Sequence, residues 1–440
     1  MHAPTLHKPQ GQRHVSVVAR DTPHPVPKAL TLLALLLAPA LQAQAATIFV
    51  NGNAIIGNRD IAAADEIIVR NNATLTINGT LRVFGRLENR GTVVLINRME
   101  VEPGGEVDNL NDMLNSGDIE VEAGASFNTR NSGIPGKPDA ILSLDFTSTL
   151  TNRGILNVGS GAIPSGASLI SDGQLVNENV INNYARIEQR MGTLSNAGGV
   201  IVNLGTLQND SLLFNDALGD IENQGILVNT GQLTNAHDAQ LHDRGYADNT
   251  GFVLNQGFVL VDPEAELVNS GVIINEAEAS LVIDGVLRNK SEGHLWNLGS
   301  VRNQAAATLD NLGLIENVSS DDAFGELRNF GDNALLRNRG TIENIDALIE
   351  NDDGATLTNQ SGLLVNSGVV ATEALFQNLT PADIDNTNGA IFNFCDGSVR
   401  NDGSIDNSVG GTLFNAGGTI NNNGNIIGPN FANGACAHLN

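Results

Sequence analysis

Residues 255–324 read as five consecutive blocks of 14 residues: NQGFVLVDPEAELV, NSGVIINEAEASLV, IDGVLRNKSEGHLW, NLGSVRNQAAATLD and NLGLIENVSSDDAF. The blocks share the pattern N-x-G-x-h-x-N-x-x-x-A/G-x-L-x, in which h is Val, Leu or Ile. The pattern returns elsewhere, for example at Asn89, Asn115, Asn338 and Asn401. Such self-similarity predicts an array of stacked repeats that extend one core, and it argues against several separate globular domains.

Each half-block contains a short alternation, G-x-h-x or A-x-L-x, which is typical of a half-buried β-strand. A strand of about four to six residues cannot bury its apolar face alone, but stacking one coil on the next buries it. The sequence therefore predicts an all-β fold, a parallel β-helix (β-solenoid) with aliphatic columns inside and side-chain amide ladders of Asn at the corners. Helix is disfavoured because β-branched residues and Gly recur every few positions.

The number of residues per coil follows less directly from the repeat. A strict period of 14 residues predicts a two-strand coil built from Asn/Gly repeats of that length. Units of about seven residues that wrap three to a coil, giving roughly 20 residues per coil, are the alternative. The chain contains 56 Asn and 48 Gly, and both residue types favour turns. Frequent, regular turning is expected with either coil size.

The first 45 residues differ from the rest and are typical of an export signal. Lys28 precedes the apolar run 30–41, and the small-x-small triplet Ala43-Gln44-Ala45 follows. We predict a signal peptide over residues 1–45, cleaved after Ala45, although a buried core helix is an alternative. Residues 46–427 are then the solenoid, and 428–440 are a C-terminal tail or cap. The protein is expected to be secreted or on the cell surface, with the periplasm also possible.

The charge balance excludes several classes of partner. The chain has 23 basic and 49 acidic residues, with a net charge of −26. Nucleic acids and anionic lipid surfaces require a basic footprint, so neither is an expected partner. No second long apolar run follows the signal, and membrane insertion of the mature chain is not expected.

Candidate chemistry is sparse. The acidic pairs Asp321-Asp322 and Asp352-Asp353 could serve acid/base work or bind Ca²⁺, as carboxylates on a β-helix face can. Both pairs occupy expected turn positions, where Asp is common, and neither has a nearby His in the sequence. We therefore prefer the interpretation that both acidic pairs are exposed turn residues without a catalytic role. We expect no catalytic residue, no cofactor and no metal site.

Two other features have competing interpretations. His237 and His242 lie five residues apart beside acidic residues, but a metal site would need a further ligand, so exposed turn positions are expected. Trp296 ends its 14-residue block, and packing in the core or at a coil edge is favoured over stacking on a sugar. Residues 131–150 and 371–394 interrupt the repeat and are predicted to leave the solenoid as loops.

Cys395 and Cys436, the only two cysteines, are predicted to form a disulfide. An exported chain enters an oxidising compartment, where paired cysteines persist as bridges. Bridged Cα atoms lie within about 7 Å, whereas two coils of rise span nearly 10 Å. The bond therefore requires the tail after 428 to fold back instead of continuing as another coil. Two free thiols are the alternative.

The strings NRGILN (152–157) and NQGILVN (223–229) resemble the coils of filamentous-haemagglutinin-like exoproteins and autotransporter passenger domains. That resemblance implies a right-handed parallel β-helix used in bacterial adhesion. It implies a non-enzymatic structural or adhesive rod, with a surface glycan or protein as ligand. Because no barrel pattern follows the repeats, a separate outer-membrane export partner is possible. A polysaccharide-active lyase or hydrolase, or a specialised ligand- or cation-binding solenoid, is the alternative.

Overall fold

The computed structural model describes residues 14–16, 45–131, 139–160, 166–434 and 438–439. It divides into two compact units, Met1–Ile187 and Glu188–Asn440. Within the described residues all regular structure is strand, so the predicted all-β class is confirmed. No helix in this part of the chain is long and apolar enough to cross a membrane.

The strands of the first unit are mostly four residues long. In chain order they are β1 His14–Ser16, β2 Thr47–Val50, β3 Asn53–Ile56, β4 Arg59–Ile61, β5 Glu66–Val69, β6 Thr74–Ile77, β7 Thr80–Val83, β8 Arg86–Asn89, β9 Thr92–Leu95, β10 Arg98–Val101, β11 Glu106–Asn109, β12 Asp112–Asn115, β13 Asp118–Val121, β14 Ser126–Thr129, β15 Ala140–Leu144, β16 Thr149–Asn152, β17 Ile155–Val158, β18 Ala167–Ser171, β19 Gln174–Asn177 and β20 Val180–Asn183. Strand β21, Arg186–Gln189, spans the division between the units.

The strands of the second unit have the same length and spacing. They are β22 Thr193–Asn196, β23 Val200–Asn203, β24 Thr206–Asn209, β25 Leu212–Asn215, β26 Asp220–Asn223, β27 Ile226–Asn229, β28 Gln232–Asn235, β29 Gln240–Asp243, β30 Tyr246–Asn249, β31 Phe252–Asn255, β32 Phe258–Val261, β33 Glu266–Asn269, β34 Val272–Asn275, β35 Ser280–Ile283, β36 Val286–Asn289, β37 His294–Asn297, β38 Ser300–Asn303, β39 Thr308–Asn311, β40 Leu314–Val318, β41 Glu326–Phe330, β42 Leu335–Asn338, β43 Thr341–Ile345, β44 Leu348–Asp352, β45 Thr356–Asn359, β46 Leu363–Asn366, β47 Val369–Thr372, β48 Leu375–Asn378, β49 Asp383–Asp385, β50 Ala390–Asn393, β51 Ser398–Asn401, β52 Ser404–Asp406, β53 Thr412–Asn415, β54 Thr419–Asn422, β55 Asn425–Ile427, β56 Phe431–Asn433 and β57 His438–Leu439.

Within each unit, strands pair in parallel with the third strand before and after them, which builds three sheets. In the second unit we name these sheets by their members. Sheet C starts at β22, sheet A at β23 and sheet B at β24, and each contains every third strand from there onward. One coil therefore visits C, A and B in turn, through a C–A, an A–B and a B–C corner. The predicted β-solenoid is confirmed.

The structure corrects the coil length. In sheet C, Asn255 pairs with Asn275, 20 residues on, and Asn275 pairs with Asn297, 22 residues on. Successive strands start alternately six and eight residues apart in this region, as Phe252, Phe258 and Glu266 show. The 14-residue repeat is thus two strands, not a coil, and three such blocks make two coils. Each new block begins two sheets further round, so the alternative of roughly 20 residues per coil is the correct one.

The strand pattern x-h-x-N explains the interior. The second and fourth residues of most strands are buried, and the first and third face outward. The second residue is Leu, Ile or Val in most strands and fills the core. The fourth is Asn in most strands of the second unit, where its side chain lies at a corner with almost no exposure. The amide–carbonyl ladders predicted for these Asn residues are present, with Nδ2 to Oδ1 distances of 2.7–3.0 Å in sheets B and C.

The Gly two places after the ladder Asn is required by the close approach of coils. A Cβ on Gly257 would lie 2.4 Å from the carbonyl oxygens of Ala236 and Ala239 in the C–A corner of the neighbouring coil. The amide of Gly257 also donates to Asn255 Oδ1 at 3.2 Å. The N-x-G motif therefore combines a ladder residue with the only side chain small enough for the corner.

The first unit replaces most ladder Asn with aliphatic residues. Its fourth strand positions are filled largely by buried side chains of Val, Ile and Leu: Val69, Ile77, Val83, Leu95, Val101, Val121, Leu144 and Val158. Amide pairs occur at some of the remaining positions, such as Asn89 with Asn109 and Asn152 with Asn177. The corners of this unit are therefore mainly apolar, whereas those of the second unit are polar and hydrogen-bonded.

The two segments predicted to leave the solenoid are mostly regular. Residues 140–144 and 149–152 form β15 and β16, and only 132–138 of the first segment lie outside the described residues. The second segment forms β48, β49 and β50, and Pro381 occupies a B–C corner after a cis peptide bond. Prolines at corners leave the ladder hydrogen bonds of the strands intact, so the loop prediction was wrong for these strands.

A small apolar cavity lies in the core of the second unit beside Ala247, where the neighbouring inward residues of sheet B are Leu227 and Leu267. We expect Ala247→Leu to raise the free energy of unfolding by about 1 kcal/mol, because the larger side chain fills space that is now empty. Urea denaturation measures the difference. Ala239→Leu is the control. Ala239 packs beneath Gly257, so the larger Leu side chain should overpack the corner and lower the free energy of unfolding. Destabilisation by both substitutions would contradict the cavity.

Candidate binding surface

The acidic pairs singled out in the sequence are not brought together. Asp321 and Asp322 are exposed in the C–A corner between β40 and β41, next to an isolated bridge between Ser320 and Ala323. Asp352 ends β44 and Asp353 follows it in the A–B corner, where Asp352 Oδ1 accepts a hydrogen bond from the amide of Asp353 at 2.7 Å. The two pairs thus occupy different corners of the coil.

The two histidines serve different contacts. His237 lies in a C–A corner with its Nδ1 3.1 Å from Asp238 Oδ2, and both side chains are exposed. His242 lies on the outer face of β29, edge-on to the ring of Phe258 with a centroid distance of 6.0 Å. Within the described residues, no group of three or more His, Cys, Asp or Glu is arranged to hold a metal ion.

The predicted disulfide falls partly outside the described residues, because Cys436 is not among them. Cys395 is exposed in an A–B corner, and its Sγ donates to Ala416 O at 3.6 Å. The strands on either side of Cys436, β56 and β57, continue sheets A and B. These two strands therefore do not fold back, contrary to the expectation from the sequence. Strand β56 stacks two coils, or about 10 Å, beyond β50.

The Cys395–Cys436 bond stays a prediction, and it requires Cys436 to lie closer to Cys395 than β56 and β57 do. We expect the non-reduced chain, produced in an oxidising compartment, to be two mass units (about 2 Da) lighter than its reduced form, because a disulfide removes two hydrogens. Mass spectrometry after alkylation without reductant measures this. Alkylation of both thiols would show that the bond is absent.

Trp296 faces outward, contrary to the packing role expected from the sequence. It is the third residue of β37, its side chain is 38 % exposed, and inward Leu295 fills the core instead. The 14-residue block hid this orientation, because Trp296 is followed by the ladder residue Asn297, which starts the next block. The in-register neighbours of Trp296 on sheet C are Ile274 and Glu316.

The surroundings of Trp296 form an apolar stripe on the outer face of sheet C. The stripe consists of the apolar outward residues of β31, β34 and β37 and the first residue of β40. These are Phe252, Leu254, Val272, Ile274, Trp296 and Leu314. The strands are parallel and in register, so these side chains stand in two columns with steps of about 4.8 Å. A contiguous apolar surface on a soluble protein commonly marks an interaction site.

An acidic column continues from the stripe along the same sheet. After Trp296, the register leads through Glu316, Glu343 and Val365 to Asp385 and Asp406. His294 Nε2 lies 2.5 Å from Glu316 Oε2, a pair that is ionic only if the imidazole is protonated. Glu343, Asp385 and Asp406 make no ion pair with any described residue.

Sheets A and B of the second unit differ from sheet C because they carry basic residues that neutralise neighbouring acids. On sheet A, Arg328 Nε lies 2.5 Å from Glu350 Oε2, and on sheet B, Arg288 Nε lies 2.7 Å from Glu266 Oε1. No Lys or Arg lies on a strand of sheet C between residues 188 and 434. The outer face of sheet C is therefore apolar at one part and uncompensated acidic at the next.

A buried carboxyl group interrupts the amide ladder of sheet A. Asp243 Oδ1 accepts from Asn223 Nδ2 at 2.7 Å and from the amide of Gly245 at 3.3 Å. Asp243 Oδ2 has no donor among the described residues, because the next coil places Val261 at the ladder position. Burial raises the pKa of Asp243 to about 6.

This group predicts a pH dependence of stability. Below about pH 4 the carboxyl group is protonated in both states, and as the pH rises toward 6 the unfolded chain ionises first, so stability is lost across that window. We expect Asp243→Asn to raise the free energy of unfolding by up to about 3 kcal/mol at pH 7 and by little at pH 4. Urea denaturation at both pH values measures this, with Asp248→Asn on the outer face as control. An equal gain at both pH values would contradict the assignment.

Comparison with known proteins adds little to the description of the chain. No protein-family profile matches the chain, and no curated protein matches it. A crystal structure of a hyper-glycosylated TibA fragment, glycosylated by TibC, aligns with 90 % of this chain and 100 % of its own length. The identity is 12 % and the TM-score is 0.19, so this likeness carries no argument about the site or its ligand.

Proposed function

We propose that the chain is a non-enzymatic, extracellular structural or adhesive protein that binds its ligand on the outer face of sheet C. The observation that carries this proposal is the apolar stripe around Trp296, a flat surface that the core and corners of the solenoid do not use. Amide ladders and aliphatic columns hold the coils rigidly, so the outward side chains keep a fixed spacing.

The solenoid is also suited to a mechanical role. Every strand of the second unit is bonded through its backbone to strands of adjacent coils, and the buried Asn side chains add a further hydrogen bond at most corners. Such an array resists local opening because each coil is held on both sides. Attachment to a surface under force requires this property.

The acidic pairs considered for a polysaccharide-active enzyme do not come together as a catalytic set. Such an enzyme needs two carboxyl groups, or a carboxyl group and a base, within reach of one glycosidic bond. The candidate pairs Asp321-Asp322 and Asp352-Asp353 lie in different corners and have no His contact among the described residues. This arrangement supports the adhesive proposal over the enzymatic one.

The test applies beads coated with the exported chain to immobilised cell-surface proteins and glycans under flow. The same preparation is assayed for release of new chain ends from acidic polysaccharides. We expect retention of the beads without turnover. Turnover that is abolished in Asp321→Asn/Asp322→Asn or in Asp352→Asn/Asp353→Asn would overturn the proposal in favour of an enzyme.

A further inference from the structure

From the charge and apolarity of sheet C we infer that the ligand is a cationic, amphipathic polypeptide segment that lies along the stripe and the acidic column. This inference rests on the proposed function, which it deepens by naming the chemistry of the partner. The stripe would contact apolar side chains of that segment, and the acidic column would contact its Lys or Arg side chains.

The carboxylates of the acidic column, which contact no Lys or Arg among the described residues, select the sign of the partner. Glu316 and Glu343 occupy adjacent coils about 4.8 Å apart, and Asp385 and Asp406 repeat that arrangement further along. Like charges at this spacing repel, and a bound cationic side chain relieves the repulsion. Anionic glycans and nucleic acids are disfavoured by the same charges.

Trp296 lies where the two parts of the surface meet. Its indole is partly exposed between Ile274 on one side and Glu316 on the other. A guanidinium group can stack on an indole face while it donates two hydrogen bonds to a carboxylate, which neither an apolar ligand nor a free metal ion can do. Arg is therefore the side chain expected beside Trp296.

The dimensions suit an extended segment. From β31 to β52 the surface spans seven steps of about 4.8 Å, or roughly 34 Å. An extended polypeptide covers about 3.4 Å per residue, so about ten residues span the face. A small cation would use the acidic column alone and leave the stripe uncovered.

The experiment uses a fluorescent peptide of about ten residues, with Leu and Ser in its first half and Arg and Ser in its second. Comparison peptides replace Arg with Glu, or Leu with Ser. Fluorescence polarisation with the full exported chain at physiological salt measures binding. We expect only the Arg/Leu peptide to bind well, with affinity reduced at least about tenfold in Trp296→Ala and in Glu343→Gln/Asp385→Asn.

The matched control is Asp248→Asn/Glu264→Gln, which removes the same charge from sheet B and an A–B corner, and it should bind within about twofold of the parent. Equal loss in both double variants would show non-specific attraction and overturn the inference. Binding of a neutral glycan that Trp296→Ala abolishes, without binding of the Arg/Leu peptide, would also overturn the inference. Beads that adhere equally well with Glu343→Gln/Asp385→Asn would overturn the inference alone, whereas no adhesion by the parent chain would overturn the proposed function.

Discussion

Asn269→Ala should lower the free energy of unfolding by about 3 to 5 kcal/mol, a large effect for a residue outside the apolar core. Asn269 is fully buried in the sheet B ladder. Its Oδ1 accepts from Asn249 Nδ2 at 2.7 Å, and its Nδ2 donates to Asn289 Oδ1 at 2.8 Å and to the carbonyl of His294 at 3.2 Å. The substitution leaves these partners buried without bonds and opens a small void at the corner.

Urea denaturation of the parent and the variant measures this loss. The matched control is Asn423→Ala, because Asn423 is exposed and makes a single side-chain bond, at 2.9 Å to Asp402. That variant should lose less than about 1 kcal/mol. Similar losses in the two variants would show that buried amide ladders add nothing to the stability beyond what a surface Asn contributes.

Deletions of different length should separate the coil from the sequence repeat. Removing residues 256–275 takes out one coil of 20 residues, and each later strand keeps its sheet because Asn255 is then followed by the corner that followed Asn275. We expect this variant to fold with stability close to that of the parent, since repeat arrays lose little when one unit is removed cleanly.

Removing seven residues, 269–275, should cost several kcal/mol, of the order of about 5, because Glu276 then occupies the buried ladder position of Asn269 and the strand spacing becomes odd. Removing 14 residues, 269–282, keeps the inward pattern but moves every later strand to a different sheet. That variant should fold yet lose binding on the face of sheet C. Thermal unfolding followed by circular dichroism ranks the three, and equal midpoints for the 20- and seven-residue deletions would contradict the assignment of the coil.

Much of the fold could be predicted because the local sequence pattern distinguishes inward positions from corner positions. The alternation around Leu267, Ile273 and Leu281 identifies inward residues, and the Asn that ends each strand identifies the corner. The error in coil length arose because six- and eight-residue steps alternate. Two successive steps add up to a constant spacing, which is visible in the sequence. The sequence does not show that three strands complete one coil.

The binding surface could not be predicted for the same reason. Phe252, Val272 and Leu314 are separated by other apolar residues, such as Phe258 and Val286, that face outward on sheets A and B. A coil of 14 residues would place Trp296 beside Val282 and Asp310, whereas the register places it beside Ile274 and Glu316. The interruption of the amide ladder next to Asp243 could not be predicted either, because Val261 becomes its neighbour only when the coils stack.

The sequence by itself determined that this protein is all-β, that its strands are short, and that alternate residues of each strand face inward, because period-two alternation and corner chemistry are local properties of the chain. The tertiary structure alone decided that three strands complete a coil and which residues share an outer face. Those facts depend on how the corners close and on hydrogen bonds between residues 20 or 22 positions apart. The apolar stripe and the acidic column exist only once that stacking brings their residues into register.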